Sequence, residues 1–455
     1  MKNEPTPPSC FKSYDIRGRV PDQLDTALAH RIGRGFAHLF TPRAVVIGHD
    51  CRLTSPELAE AAAAGLVEGG VEVLHLGLVG TEEVYHAAFS MADSGVDGGI
   101  MITASHNPAD ENGFKLVTRG AVPVTAQSGL ARLGELVRGK ELPVLEPAGR
   151  RRVVQTRESY IDHLLSYVNP ASLRPLTIVA NSGNGCAGAI VDLLAEKLPF
   201  TVIRMHHQPD GSFPHGVPNP LLAANRAETS AMVRKSGADM GIAWDGDFDR
   251  CFFWDEQGEF IESYYIVGLL AETLLADHPG QTILHDARLV WNTQDCVARA
   301  GGVARETKAG HALIKEHMRR ENSLYGGEMS GHHYFRSFGY CDSGMIPWLL
   351  VSSLLSAADT NLSELINHRR RAYPASGEIN MAVADPGTVL ATLAEHYRDG
   401  AMSRVDGLSV AYPSFRFNVR ASTTEPLLRL NIETRGDVAL LQEKTAELTA
   451  LIKAV

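Results

Sequence analysis

Three times in this chain an apolar, strand-like run ends in a polar loop and passes directly into a helical pattern. The stretches are VVIGHDCRLTSPEL, IVANSGNGCAGAIV and ILHDARLVWNTQDC. A strand that feeds a helix returns most readily as a parallel neighbour, so this alternation favours α/β layers. The strand-like runs, these three included, are AVVIGHD at 44–50, GGIMITASHN at 98–107, LTIVANSGNG at 176–185, ADMGIAWDGD at 238–247 and TILHDAR at 282–288. Apolar residues spaced by three and four predict helices in LDTALAHRIGRGFAHLF, SPELAEAAAAGLVEGG, AGAIVDLLAEKL and ESYYIVGLLAETLLADH. The reading is three α/β domains of similar plan. The tail differs: SFRFNVRASTTEPLLRLNIET predicts strand, loop, strand, and DVALLQEKTAELTALI a helix, a small α+β unit. Polar, Pro- or Gly-containing stretches near 141–155, 255–260 and 373–378 suggest domains at 1–150, 151–256, 257–373 and 374–455.

A chain of 455 residues is long for one core. Its net charge of -10 argues against nucleic acid as a partner, although local cations can still hold an anion in a cleft. No run reaches membrane-spanning length, and MKNEPTPPSCFKSYD has no apolar signal core. Cysteines at 10, 51, 186, 251, 296 and 341 form no CxxC pair, which fits reduced thiols in a cytoplasmic protein. Monomer and homodimer both stay open.

Several loops carry candidate chemistry. ITASHNPADENGFK, from Ile102 to Lys115, places Ser105 in a turn after an apolar run. It is either a plain connection or the seat of a nucleophile. WDGDFDR carries Asp245, Asp247 and Asp249, followed by Arg250. Carboxylates this close repel unless a cation lies among them, and an all-oxygen set selects a hard ion such as Mg²⁺; a solvated acidic turn is the plainer alternative. The spacing resembles an EF-hand, but Arg250 stands where that loop needs Gly, and the flanks read as strands. GGEMSGHHY offers Glu328 and Ser330 to sugar hydroxyls, or is a glycine-rich hairpin. RASTTEP places one Arg and three hydroxyls in a possible phosphate cradle, or is a strand-connecting turn. Arg17 lies at a turn in YDIRG, and His311 at a helix N-terminus that favours anions. Gly183-x-Gly185-x-x-Gly188 mimics a dinucleotide fingerprint. The next apolar run ends in Arg204 and His206 instead of an acid, so a tight turn is the better reading. There is no Walker A motif and no kinase signature.

In this order, TASHNP, DGDFDR, GEMSGHH and RASTTEP resemble the signature loops of the α-D-phosphohexomutases, and FKSYDIRG resembles that family's opening motif. GEMSGHHYF is similar to the bacterial mannose-handling and dual-specificity branch. The resemblance implies three related α/β domains and a smaller α+β domain around a central cleft. It implies that Ser105 carries a phosphoryl group, and that Mg²⁺ is held by that phosphate with Asp245, Asp247 and Asp249. The implied reaction interconverts mannose 6-phosphate and mannose 1-phosphate through a hexose 1,6-bisphosphate, feeding nucleotide-sugar synthesis. Catalytic expectations fall on Ser105, Lys115, Arg17, Arg250 and His311. Substrate-binding expectations fall on Tyr14, Arg288, Lys308, Glu328, Ser330, His332, Arg420, Ser422, Thr423 and Thr424. Arg288 stands where several relatives have Lys, and an always-protonated side chain reads as an anchor rather than a base. Thr423 stands where Asn is common. Alternatives are a glucose-specific or dual-specificity mutase, a metal-dependent sugar phosphatase, and a binding protein without turnover.

Overall fold

The computed structural model describes residues 8–139, 142, 144–421 and 427–454. The chain divides into two compact units. One comprises residues 1–259 with 337–358, the other residues 260–336 with 359–455.

In the first unit, Ala44–His49 lies between Glu72–Leu78 and Val96–Ile102, all parallel, and Arg151–Val153 joins the far side of Glu72–Leu78. The crossovers are helices, as the alternating pattern predicts. Thr26–Phe40 and Ser55–Glu68 cross closely, because a Cβ at Gly33 would lie 2.0 Å from Ala62 O and one at Gly65 2.0 Å from His30 O. Their apolar faces, with Ile32, Phe36, Leu58 and Leu66, bury against Val45, Ile47 and Ile100.

One element departs from the parallel expectation. After the serine turn, Glu111–Thr118 runs back antiparallel to Val96–Ile102, and Ile16–Arg19 pairs antiparallel with it. Its start, ENG, reads as loop. Buried Asn112 nevertheless fits, because its Nδ2 donates to Thr54 Oγ1 and Ser55 Oγ, both at 2.9 Å. This return strand puts Lys115 on a rigid element.

A second sheet of the same unit aligns Thr201–Met205, Thr177–Asn181 and Met240–Trp244 in parallel, with Cys251–Trp254 antiparallel to the last. The acidic loop joins those last two strands, and an EF-hand's helical flanks are absent from it.

In the second unit, Val303–Thr307, Thr282–Asp286 and Tyr325–Gly327 are parallel, and His333–Phe335 pairs antiparallel with Tyr325–Gly327. The tail sheet is fully antiparallel, in the order Ile379–Ala382, Leu427–Thr434, Phe415–Ala421, Leu408–Ala411, Ala401–Ser403. The sequence reading covers two of these strands and the helix Val438–Ala454; the other three strands and the helix Pro386–His396 go beyond it.

No helix among the described residues is long and apolar enough to cross a membrane. All six cysteines are free thiols, five of them buried.

Candidate active site

The first unit assembles its chemistry where two loops meet. Ser105 follows the strand Val96–Ile102 and takes φ 52°, a left-handed conformation that side chains rarely adopt. Its hydroxyl donates to Asp245 Oδ2 at 2.7 Å and lies 3.0 Å from His106 Nδ1. Arg250 Nε donates to the same Asp245 oxygen at 2.7 Å, and its Nη2 hydrogen-bonds His106 Nδ1. Ser105 and Arg250 therefore converge on the same two groups, Asp245 and His106. The loops approach by backbone as well. A Cβ on Gly246 would sit 2.7 Å from Ser105 O, and one on Gly185 would sit 2.7 Å from Gly246 O. The glycines that mimic a dinucleotide fingerprint therefore serve a tight turn packed on the acidic loop.

Lys115 Nζ bonds Asp247 Oδ2 at 2.6 Å and Asp249 Oδ2 at 2.5 Å, and Thr81 Oγ1 also donates to Asp247 Oδ2. Burial opposes the ammonium charge, but Asp247 and Asp249 outweigh it and hold the Lys115 pKa above its ordinary value. Burial first, then Asp249 and Asp247, push the Asp245 carboxyl up against the pull of Arg250. Arg17 pairs with Asp15 at 2.7 Å and donates to Ala104 O at 2.5 Å and to Asn107 Oδ1 at 3.2 Å, so it grips the serine loop. Tyr14 is half-buried in the bend just before it.

The acidic triad passes a test for a hard cation. Side-chain oxygens of Asp245, Asp247 and Asp249 lie within 4.8 Å of one another, and all three residues are buried. Asp247 Oδ1 is fully buried with no hydrogen-bond partner among the described residues. Such an oxygen is costly without a proton donor or an ion beside it. The donor set, carboxylates only, suits a divalent metal of the Mg²⁺ type.

Sequence reasoning missed Arg52. This 1%-exposed side chain donates to four carbonyls of the serine loop: Ser105 at 2.9, Asn107 at 2.6, Pro108 at 2.7 and Glu111 at 2.9 Å. Asp50, itself buried, pairs with Arg52 Nε at 3.4 Å and accepts from Ser55 Oγ at 2.5 Å. Thr103 also escaped notice; its Oγ1 accepts from Ser105 N at 2.8 Å. The only signal was the HDCR polar loop after the first repeated strand.

The second unit holds a separate polar cluster. Glu328 follows the strand Tyr325–Gly327; it accepts from Gly310 N at 2.9 Å and Tyr334 OH at 2.6 Å, and pairs with His332 Nδ1 at 3.3 Å. Ser330 Oγ lies 3.1 Å from the same His332 nitrogen. Burial works against the Glu328 charge, but His332, Arg288 and Tyr334 hold its carboxyl well below the usual range. Arg288 bonds Asp286 at 2.7 Å and Glu378 at 3.4 Å, and against burial these acids hold it firmly protonated. Asp286, which the sequence reading passed over, also accepts from Met329 N at 2.7 Å and so ties two loops together. His311 opens the helix His311–Glu321, and its ring stacks with His332 at 6.3 Å between centroids. Lys308 is exposed in the preceding loop. Arg420 is the penultimate residue of the strand Phe415–Ala421, beside Glu378 at 3.3 Å and Asp406 at 3.8 Å. Ser422, Thr423 and Thr424 lie outside the described residues.

Repeated α/β sheets whose loops seat a serine hydroxyl on a buried, cation-suited acidic triad define a class of phosphoryl-handling scaffold. The chain belongs to the phosphoglucomutase/phosphomannomutase family. Its alpha/beta/alpha domains I, II and III match residues 8–132, 158–258 and 262–373, and its C-terminal domain matches 378–450. A phosphomannomutase of Salmonella montevideo is 50% identical over 98% of this chain and 99% of its own length. A phosphohexose mutase of Xanthomonas campestris is 52% identical over 97% of this chain and 99% of its own. A solved family protein from Burkholderia thailandensis superposes with TM-score 0.87 at 31% identity, covering 99% of this chain and 98% of that one.

Proposed function

We infer that this protein is an isomerase that moves a phosphoryl group between O6 and O1 of D-mannose, interconverting mannose 6-phosphate and α-D-mannose 1-phosphate. What supports this most strongly is identity of about half the residues, over nearly the whole chain, with phosphomannomutases. Four domains, with boundaries near 150, 256 and 373, would each contribute one loop to the work.

Ser105 is the phosphoryl carrier in this reading. The bond from its oxygen to phosphorus breaks as the free sugar hydroxyl bonds to the phosphorus and gives up its proton. The product of this half-reaction is a hexose 1,6-bisphosphate. In the second half-reaction the other phosphate returns to Ser105, leaving the isomeric monophosphate. A transferring phosphoryl group needs charge neutralisation and alignment more than covalent help. Arg250, Lys115 and Arg17 stand around Ser105 to provide that. Asp245, Asp247 and Asp249, with the Ser105 phosphate, would hold Mg²⁺, which supplies further neutralisation of the phosphoryl oxygens. Glu328, Ser330 and His332 bind sugar hydroxyls, Arg420 with the 422–424 segment anchors the phosphate that does not react, and Tyr14, Lys308 and Arg288 line the substrate's path. His311 is the candidate proton carrier. Lys115 serves this role less well, because Asp247 and Asp249 hold it in its charged form.

A second reading, dual use of glucose and mannose phosphates, draws on the family's own double designation and on the Xanthomonas relative. Comparing kcat/KM for mannose 1-phosphate and glucose 1-phosphate, with bisphosphate activator present, separates the two. A clear excess for mannose is expected; parity supports dual use, and turnover of glucose alone overturns the mannose assignment. The metal has its own check: Mg²⁺ should raise the wild-type Tm and leave that of Asp247→Asn unmoved.

A further inference from the structure

In the tail sheet, Arg420 and Arg429 are direct partners across the antiparallel pair Phe415–Ala421 and Leu427–Thr434. Like charges placed directly opposite each other repel, so such a pair calls for an anion between them. One is there. Glu378, just ahead of the edge strand Ile379–Ala382, reaches Arg420 Nη2 through Oε2 at 3.3 Å and Arg429 Nη1 through Oε1 at 3.3 Å. Arg288 Nη1 joins Oε2 at 3.4 Å. One carboxylate is thus shared among three guanidiniums. Each contact is longer than the 2.7–2.9 Å usual for charge-assisted pairs. Nε of Arg288, Arg420 and Arg429 is buried and without a hydrogen-bond partner among the described residues. Arg288 has Asp286 and Arg420 has Asp406 as further acids, but Glu378 is the one carboxylate within 4.0 Å of Arg429 among the described residues. Three guanidiniums that converge on Glu378 at long range, each with a spare Nε donor, suit a phosphate monoester, a dianion with three terminal oxygens, better than they suit that one carboxylate.

We propose that Arg429 is a phosphate-binding residue, and that Glu378 is an internal counter-anion that competes with the substrate's phosphate for Arg288, Arg420 and Arg429. The proposal rests on the reading of Arg420 as the phosphate anchor. Its chemical sense follows from the reaction: the bisphosphate must release this site and present its other phosphate within one cycle. A resident carboxylate takes the arginines back as the phosphate leaves, so the grip stays weak enough for release. Burial opposes the Glu378 charge, but Arg288, Arg420 and Arg429 outweigh it and lower its pKa, so the competitor is anionic at neutral pH.

The test is a calorimetric titration of inorganic phosphate into the intact chain without added metal, for wild type, Glu378→Gln, Arg429→Gln and Arg420→Gln. Glu378→Gln should tighten phosphate binding about tenfold, and Arg429→Gln should weaken it about tenfold, the size of one charged hydrogen bond. In turnover assays, Glu378→Gln should lower KM for mannose 1-phosphate and lower kcat with it. Damage to the fold weakens binding, so tightening reads competition alone. If Glu378→Gln weakens binding or leaves it unchanged, Glu378 only orients the arginines and the competition is overturned. If Arg429→Gln binds phosphate as wild type does, its assignment falls. If Arg420→Gln also leaves binding intact, the anchor reading itself has failed.

Discussion

Ser105 holds an unfavourable backbone conformation, φ 52°, worth roughly 1–2 kcal/mol of strain for a residue with a side chain. The loop keeps it because other groups determine its path. Thr103 takes the Ser105 amide, and Arg52 takes four loop carbonyls. The result points the hydroxyl at Asp245 before any substrate arrives, which is pre-organisation built from backbone strain. Arg52→Gln should cost about 3 kcal/mol or more, because it leaves buried Asp50 and several carbonyls without their cation. Denaturant unfolding measures that loss. The kcat of the folded fraction should fall while KM stays near wild type, since Arg52 acts through the loop and not on the sugar. An unchanged kcat would reduce Arg52 to a purely structural residue. In the sequence, Arg52 is one arginine among many; its role depends on Ser105, Asn107 and Glu111, more than fifty residues away, which no local pattern encodes. The acidic triad was legible because its members alternate within five residues and their repulsion is a local fact.

At the scale of elements, the strand-to-helix repeats were legible because hydrophobic periodicity is local. The antiparallel return of Glu111–Thr118 was not, because its Asn-Gly start looks like a turn until Thr54 and Ser55 satisfy it. Likewise the segment 337–358 belongs with the first unit, although its chain neighbours belong with the second. Its helix Met345–Ala358 is fixed there by buried Glu82, which accepts from Gly344 N at 3.1 Å and Met345 N at 3.2 Å. The helix Thr81–Ser90 that carries Glu82 also carries His86, packed among Phe89, Tyr160, His163 and Phe338. Burial, then His163, lowers the His86 pKa from 6.5 to about 4. The unfolded chain therefore binds more protons between these values, and stability is lost as pH falls from about 6.5 to about 4. The full loss is on the order of 3 kcal/mol. Unfolding free energies measured across that window should show the slope, and His86→Phe should flatten it; an equal slope in the variant would contradict the assignment.

For the whole molecule, composition set only outer limits, while the order of four loops carried the family. Those loops fall in separate sheets, so their order along the chain was readable and their side-chain geometry was not. Glu378 and Arg429 show the limit well: each lies near an anticipated residue, yet their meeting requires the register of three tail strands. The central claim is that one serine carries the phosphoryl group between substrate positions. It is tested most directly by charging the enzyme with hexose 1,6-bisphosphate labelled in its phosphates, mapping the labelled peptide, and then chasing with mannose 1-phosphate. The account predicts label on Ser105 alone, discharged into sugar bisphosphate at the rate of turnover, with none retained by Ser105→Ala. Label on another residue, or full turnover by Ser105→Ala, would contradict it.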